Sequence, residues 1–111
     1  TRLRGTVMPH AGSDWLIARG DGSFQQDARL TLLTDDGALI GMSYRGVRHS
    51  TPEVAARLAR GESVGPADYY LRTAPFFETS AERYAWINTI VSVGVGERVT
   101  NGVVYDVFEV L

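Results

Sequence analysis

The chain alternates between short stretches rich in Val, Ile, Leu, Thr, Tyr and Phe and short polar turns. Asp-Gly and Asn-Gly steps, which favour the tight turns of β-hairpins, separate several of these stretches. The pattern predicts six or seven antiparallel strands joined mainly as a meander. They lie at Thr1–Met8, Trp15–Arg19, Phe24–Thr34, Ala38–Arg48, the segment after Tyr69, Thr89–Val99 and Val103–Leu111, the last two joined by a turn at Asn101-Gly102.

Two short helices interrupt the predicted meander. Ser50 and Glu53 have the spacing of a capping box, and Pro52 lies in the first turn, where a missing N–H costs nothing. This helix runs for about three turns and ends near Gly61, because glycine adopts the backbone conformation that terminates helices. The spacing of small and aromatic residues predicts a second short helix at Ser80–Ile87.

Alternation within the strands indicates a sheet that closes on itself. In Phe24–Leu33, apolar residues recur on one face and polar residues on the other. Many short strands in sequence order need their edges covered, and an antiparallel barrel does this best, with a sandwich as the alternative. We therefore expect one all-β domain over residues 1–111, a small up-and-down antiparallel β-barrel with one or two short helices. A barrel of about eight strands needs one or two more than this chain supplies, which predicts that N-terminal strands are missing.

Composition narrows the classes of function. The 111 residues contain no Cys, which excludes disulfides and thiolate metal sites, and all 11 basic residues are Arg, which excludes lysine chemistry. With a net charge of −2 and no long basic or apolar run, we expect neither a nucleic-acid nor a membrane partner, and a cytoplasmic location. Two His far apart and no phosphate-binding or dinucleotide motif lead us to expect neither a metal nor another cofactor.

The segment Tyr69–Asn88 is the richest in candidate chemistry, since it holds 6 of the 11 aromatic residues interleaved with polar ones. Arg72 could orient a carboxylate or enolate, and Glu78 could act as a base whose pKa burial raises. This requires both side chains to point inward across Pro75, which can break a strand; the alternative is a structural Arg–Glu bridge. The predicted ligand-binding residues of this segment are Tyr70, Phe76, Trp86 and Asn88.

A second candidate group precedes the first long strand. His10 and Asp14 could form a proton-transfer pair if the loop folds back on itself, and the alternative is that Asp14 caps loop N–H groups. Tyr44 could donate to a developing oxyanion. Asp27 and Arg29 share one strand face, and they form either a surface pair or a polar patch inside the barrel.

Several short motifs, in this order and spacing, resemble a known family. They are Gly12-Ser13-Asp14-Trp15, Asp27-Ala28-Arg29, Asp36-Gly37, Tyr69-Tyr70-Leu71-Arg72-Thr73, Phe77-Glu78-Thr79 and Arg83-Tyr84-Ala85-Trp86-Ile87-Asn88. From about Leu3 to Leu111 the chain resembles the uncharacterised DUF3237 proteins, also called UPF0311. The resemblance implies a small antiparallel barrel with a central cavity and members that begin one or more strands earlier. It assigns no activity, and it implies Gly-Gly directly before the Ser-Asp-Trp motif, where this chain has His10-Ala11-Gly12.

Three functions are compatible with these observations. The first is an enzyme that binds a small aromatic, carbonyl or carboxylate metabolite inside the barrel and moves protons in an isomerase, cyclase or lyase reaction. The second is a carrier or sensor that binds a ligand in the same cavity without converting it. The third is a structural protein whose barrel is filled by its own side chains, with Val103–Val110 as the seam of a homodimer.

Overall fold

The computed structural model describes residues 2–99 and 102–111, in seven strands and three short helical segments. The strands are β1 (Gly5–Val7), β2 (Ser13–Ala18), β3 (Phe24–Thr34), β4 (Leu39–His49), β5 (Tyr70–Glu78), β6 (Val91–Val99) and β7 (Gly102–Val110). The helix α1 (Pro52–Ala59) follows β4, and two 3-10 helices lie at Pro66–Asp68 and Glu82–Thr89. The predicted Asn101-Gly102 turn involves Asn101, which is outside the described residues.

All seven strands form one antiparallel sheet, which confirms the predicted all-β class. From β3 to β7 each strand pairs with the next along the chain, as a meander does. At the other end, β2 and β1 both pair with β3, β2 along Phe24–Arg29 and β1 along Leu32–Thr34. The two open edges of the sheet are therefore β7 on one side and β1 with β2 on the other.

The sheet curls so that one face becomes concave. Gln26 Nε2 on β3 donates a hydrogen bond of 3.1 Å to the Tyr105 hydroxyl on β7, four strands away. In a flat sheet these strands would be about 19 Å apart, which is beyond the reach of the two side chains. The face that carries Gln26 and Tyr105 therefore lines the inside of a half-barrel, and the opposite face is convex.

Small residues on the concave face allow neighbouring side chains to fill it. A Cβ built on Gly96 would lie 2.6 Å from Leu71 Cγ and 2.7 Å from Tyr105 Cε1. On Gly46 it would lie 2.7 Å from Gln26 Oε1. Leu71 is fully buried, and it packs with Leu58 of α1, Val64 and Tyr69. Since these side chains occupy the half-barrel beneath α1, its interior is a packed core at that end.

Two local predictions need correction, and one open question is answered. The N-cap of α1 is Thr51 rather than Ser50, because Thr51 Oγ1 accepts from the N–H of Val54 at 3.3 Å. The second predicted helix is a 3-10 helix shifted to Glu82–Thr89. Pro75 does not break β5, because the strand runs from Tyr70 to Glu78. The ladder between β5 and β6 pairs Arg72 and Thr73 with Val95 and Gly94, and the Ser92 hydroxyl of β6 donates to the Pro75 carbonyl at 2.8 Å.

The β7 edge exposes apolar side chains on both of its faces. Val104 and Phe108 are each 54% exposed on the convex face, and Val107 is 43% exposed on the concave face. The radius of gyration is 15.3 Å, against about 13 Å for a compact domain of this length. The sheet is therefore more open than the closed barrel that the sequence predicts. Among the described residues, no helix has the length and apolarity to cross a membrane.

Candidate functional site

Four polar side chains from four strands converge on the concave face, and we call Asp14, Gln26, Tyr44 and Tyr105 the tyrosine cluster. Asp14 on β2 is paired with Ala28 on β3, which is paired with Tyr44 on β4, so all three point to the same face. Ala28 carries only a methyl group, which leaves space between Asp14 and Tyr44. The Tyr44 and Tyr105 rings lie 5.7 Å apart between centroids, tilted by 58°.

Both tyrosines of the cluster are held in the protonated form. Burial raises the pKa of Tyr44, and the nearby Tyr105 phenol and Asp14 carboxylate raise it further. Burial also raises the pKa of Tyr105, although its hydrogen bond from Gln26 opposes this change. At neutral pH the two phenols are therefore hydrogen-bond donors rather than phenolates.

Gln26 is buried, with 9% of its surface exposed, and only part of its amide is satisfied. Its Nε2 donates to Tyr105, whereas its Oε1 has no hydrogen-bond partner among the described residues. A buried polar atom without a partner costs free energy, so the native structures of proteins contain few of them. The cluster thus has an unused acceptor next to its phenolic donors.

The cluster extends from the packed interior of the half-barrel, where Tyr44 is only 7% exposed, to the open side. Asp14 is exposed at the β2 edge, and Leu16, on the same face and edge, is 54% exposed. Across the opening, Val103 and Val107 of β7 are 41% and 43% exposed on the concave face. Apolar side chains with a few convergent polar groups are typical of small-molecule sites.

The predicted residues of β5 lie on the other face. Tyr70, Arg72, Phe76 and Glu78 alternate with the buried Leu71, Thr73 and Pro75, so they point outward from the convex face. Arg72 and Glu78 share a face, but they are six residues apart on one strand and therefore about 20 Å apart. The condition for a site at Arg72 and Glu78, that both point inward, is therefore not met, because the sheet curls away from them. Arg72 and Glu78, both among the described residues, form no ion pair with each other, so the alternative of a structural Arg–Glu bridge is also wrong.

Arg72 instead lines an open groove of about 650 Å³ on the convex face, together with Arg19 and Arg45. Its guanidinium donates to the Leu71 carbonyl at 3.0 Å and lies 5.0 Å from the centroid of the Tyr70 ring. Asp27 and Arg29 are exposed on this same face, in agreement with the alternative that they are surface residues.

Three other predicted residues lie away from the tyrosine cluster. Trp86 packs under the guanidinium of Arg2, 3.7 Å from its ring centroid. Asn88 joins the 3-10 helix to the end of β5, because it accepts from the Thr79 N–H at 2.8 Å and donates to the Thr79 carbonyl at 2.9 Å. His10 is exposed in the turn between β1 and β2, with a φ of 60°.

Of the predicted site residues, the structure thus brings together Asp14 and Tyr44. Sequence reasoning missed their neighbours Gln26 and Tyr105. Gln26 has the same parity as Ala28 and Leu30, so a polar residue within an apolar strand face was its signal. Tyr105 had no such signal, because β7 is apolar on both faces. No group of three His, Asp or Glu side chains suited to a metal occurs in residues 2–99 and 102–111.

A family model and several sequence relatives match nearly the whole chain. The family model described as "Protein of unknown function (DUF3237)" matches residues 1–110. A UPF0311 protein of Rhodopseudomonas palustris is 37% identical over 109 residues, which cover 98% of this chain and 71% of the relative. A UPF0311 protein of Clostridium acetobutylicum is 34% identical over 108 residues, which cover 97% and 68%.

Solved structures show the same fold. A crystal structure of a conserved Rhodopseudomonas palustris protein of unknown function superimposes with a TM-score of 0.89 at 37% identity, covering 96% of this chain and 71% of the other. A β-barrel-like protein of Acinetobacter baumannii superimposes with a TM-score of 0.80 at 38% identity, covering 98% and 69%. Both likenesses extend over nearly all of the chain.

Proposed function

The chain belongs to the DUF3237 family of proteins of unknown function, also named UPF0311, and on that premise we propose that it binds a small carbonyl-bearing metabolite at the tyrosine cluster. The observation that carries this proposal is the convergence of two phenols and a carboxylate on the concave face. Phenols of raised pKa donate hydrogen bonds to a carbonyl oxygen without losing their protons at neutral pH. The ligand lies in the opening between β2 and β7.

The same arrangement supports proton transfer. Asp14 takes a proton from the carbon next to the ligand carbonyl, the C–H bond breaks, and negative charge develops on the carbonyl oxygen. The Tyr44 and Tyr105 hydroxyls stabilise this oxyanion by hydrogen bonds that strengthen as the charge grows. Return of the proton from Asp14 to another carbon gives an isomer, so the step consumes no co-reactant.

A carrier that binds the same ligand without converting it needs only the two phenols. The two functions therefore differ in the role of Asp14. In an enzyme, Asp14→Asn retains ligand binding and abolishes turnover, whereas in a carrier turnover is absent from the wild type.

A library of small ketones, β-keto acids and phenolic carbonyl compounds tests the proposal by thermal shift, followed by mass spectrometry of each hit. Wild-type protein should be stabilised by at least one compound, and Tyr44→Phe and Tyr105→Phe should each lose that stabilisation. Tyr70→Phe, which removes a hydroxyl from the convex face, is the control and should retain it. Binding that survives both Tyr44→Phe and Tyr105→Phe, or the absence of any hit, contradicts the proposal.

We also propose that β7 joins two copies of the chain edge to edge. The nine residues of β7 form a free edge with apolar side chains on both faces, and such edges pair readily with a second strand. Antiparallel pairing about a two-fold axis would satisfy the free backbone groups of both copies. Sedimentation should detect a dimer that Val104→Lys weakens. Val7→Lys, at a residue of matched exposure on the other edge, is the control, and a monomer at all concentrations refutes the pairing.

A further inference from the structure

A cavity of about 170 Å³ lies between α1 and the ends of β3, β4 and β6. Its wall contains two arginines, Arg48 from β4 and Arg98 from β6, together with Ser50. Phe24 and Leu58 supply the apolar part of the wall. The volume admits a small ion or the head of a larger molecule, and the cavity is separate from the convex groove that contains Arg72.

Both arginines reach this end of the concave face because of the strand register. Arg48 is paired with Leu71 of β5, and Gly96 of β6 packs against the Leu71 side chain. Arg98 is two residues beyond Gly96 and so points to the same face. Arg48 is half-buried, and its guanidinium lies over the Phe24 ring, 4.4 Å from the ring centroid. Arg98 is exposed at the rim.

Within residues 2–99 and 102–111, no carboxylate lines the cavity to neutralise these two charges. The ion pairs found among the described residues use Arg57, Arg60 and Arg83. Glu97, the neighbour of Arg98, points to the opposite face of β6. Asp21 precedes the lining residue Gly22 but is not itself part of the wall, and its carboxylate accepts from the N–H and hydroxyl of Ser23 at 2.9 and 2.5 Å.

The surroundings of Arg48 make its positive charge less favourable than in water. Burial lowers its pKa, the positive charge of Arg98 lowers it further, and the phenols of Tyr69 and Tyr105 oppose the change. Two like charges that share a small, partly buried cavity repel each other, and the packed core around them contributes no anion. An anionic ligand would remove this repulsion.

We propose that the cavity beneath α1 is a binding site for a small oxyanion, either a phosphate or a carboxylate group. The guanidinium forks of Arg48 and Arg98 hold its oxygens, and the Ser50 hydroxyl donates a further hydrogen bond to one of them. The stacking of Arg48 on Phe24 orients one guanidinium before the anion binds, which reduces the entropy lost on binding. The site is independent of any activity at the tyrosine cluster.

Thermal unfolding in sodium phosphate, sulfate or acetate, each compared with sodium chloride at equal ionic strength, tests this site. Wild-type protein should show a saturable rise in Tm with at least one oxyanion. Response to phosphate and sulfate assigns a tetrahedral oxyanion, and response to acetate alone assigns a carboxylate. Arg98→Gln should weaken the apparent affinity at least about tenfold, the loss expected for one charge-assisted contact.

Two further comparisons separate binding from a structural role. In chloride alone, Arg98→Gln should melt no lower than wild type, because the substitution relieves repulsion, and a structural arginine would instead lower Tm. Arg48→Gln should also lose the oxyanion response. Arg60→Gln removes a positive charge from an exposed position at the end of α1 and should retain it. A Tm that rises no more in oxyanions than in chloride, or an unchanged response in Arg98→Gln, overturns the proposal.

Discussion

Removal of the Tyr105 hydroxyl tests whether the contact between β3 and β7 contributes to the stability of the half-barrel. The hydroxyl accepts the 3.1 Å hydrogen bond from Gln26 Nε2, and Gln26 Oε1 has no partner among the described residues. In Tyr105→Phe the whole amide group of a residue that is only 9% exposed loses its hydrogen bonds within the protein. The ring itself remains, so the packing against Tyr44 and Leu71 is unchanged.

The expected cost follows from burial. A buried polar group left without a partner costs about 1–3 kcal/mol, more than the roughly 1 kcal/mol net value of a neutral hydrogen bond. Tyr105 is half-buried, which lets water reach part of the site and favours the lower half of that range. We expect Tyr105→Phe to lower the free energy of unfolding by about 1–2 kcal/mol. For a chain of 111 residues this lowers Tm by about 4–9 °C.

Urea unfolding followed by tryptophan fluorescence measures the change, and a double-mutant cycle assigns it to the pair. Gln26→Met with Tyr105→Phe replaces both partners by apolar groups, so the double variant should lose less stability than the sum of the two single changes. Tyr70→Phe, at a tyrosine that is 52% exposed, should stay within about 0.5 kcal/mol of wild type. A cost below that value for Tyr105→Phe, or strict additivity, would refute the inferred contact.

Three other predictions concern the core and its ionisable groups. Gly96→Ala should cost about 1–3 kcal/mol in urea unfolding, because the new methyl would overlap Leu71 and Tyr105, whereas Gly20→Ala, with nothing within 4 Å, should be neutral. Hydrogen bonds from Thr34 and Tyr84 lower the pKa of Asp36 below 3.8. The stability that these bonds give is therefore present above about pH 4 and is lost as pH falls through the lowered pKa. Tm measured over a series of acidic pH values should fall less steeply in Asp36→Asn than in wild type. Burial raises the pKa of Tyr44, so the stability linked to its protonated form is present below about pH 10 and is lost as pH rises further. At about pH 11.5, where ordinary tyrosines are almost fully ionised, absorbance at the tyrosinate band should show fewer than all 5 tyrosines ionised until the chain unfolds.

Much of the strand architecture could be predicted from the sequence because local signals define it. The Asp21-Gly22 and Asp36-Gly37 turns bound β3, and the predicted range Phe24–Thr34 is the observed one. Gly22 and Gly37 have φ values of 86° and 90°, which glycine adopts without strain. Strand boundaries that depend on tertiary contacts were less accurate: β1 is only Gly5–Val7, since its pairing with β3 ends at Leu32.

The candidate site was harder to predict because it depends on curvature. Alternation shows which residues share a face, and Arg72 and Glu78 do share one, as their even spacing requires. It does not show which face becomes concave. The aromatic and charged residues of β5 suggested an inner face, but the outer face of a small half-barrel also carries large side chains, such as the exposed Tyr70 and Phe76.

The direction of curl has a sequence signal in the positions of glycine. Gly46 on β4 and Gly94 and Gly96 on β6 lie on the two strands that flank β5. Side chains of Gln26, Thr73, Leu71 and Tyr105 fold over them. Glycine within a strand weakens it unless another group must approach the backbone closely, so three on one face mark the face where side chains crowd. This reasoning places Thr73, which folds over Gly94, inside and its neighbour Arg72 outside. By the same argument Asp14 and Tyr44, which share the glycine face through Ala28, are the predicted residues that can meet a ligand within the curl.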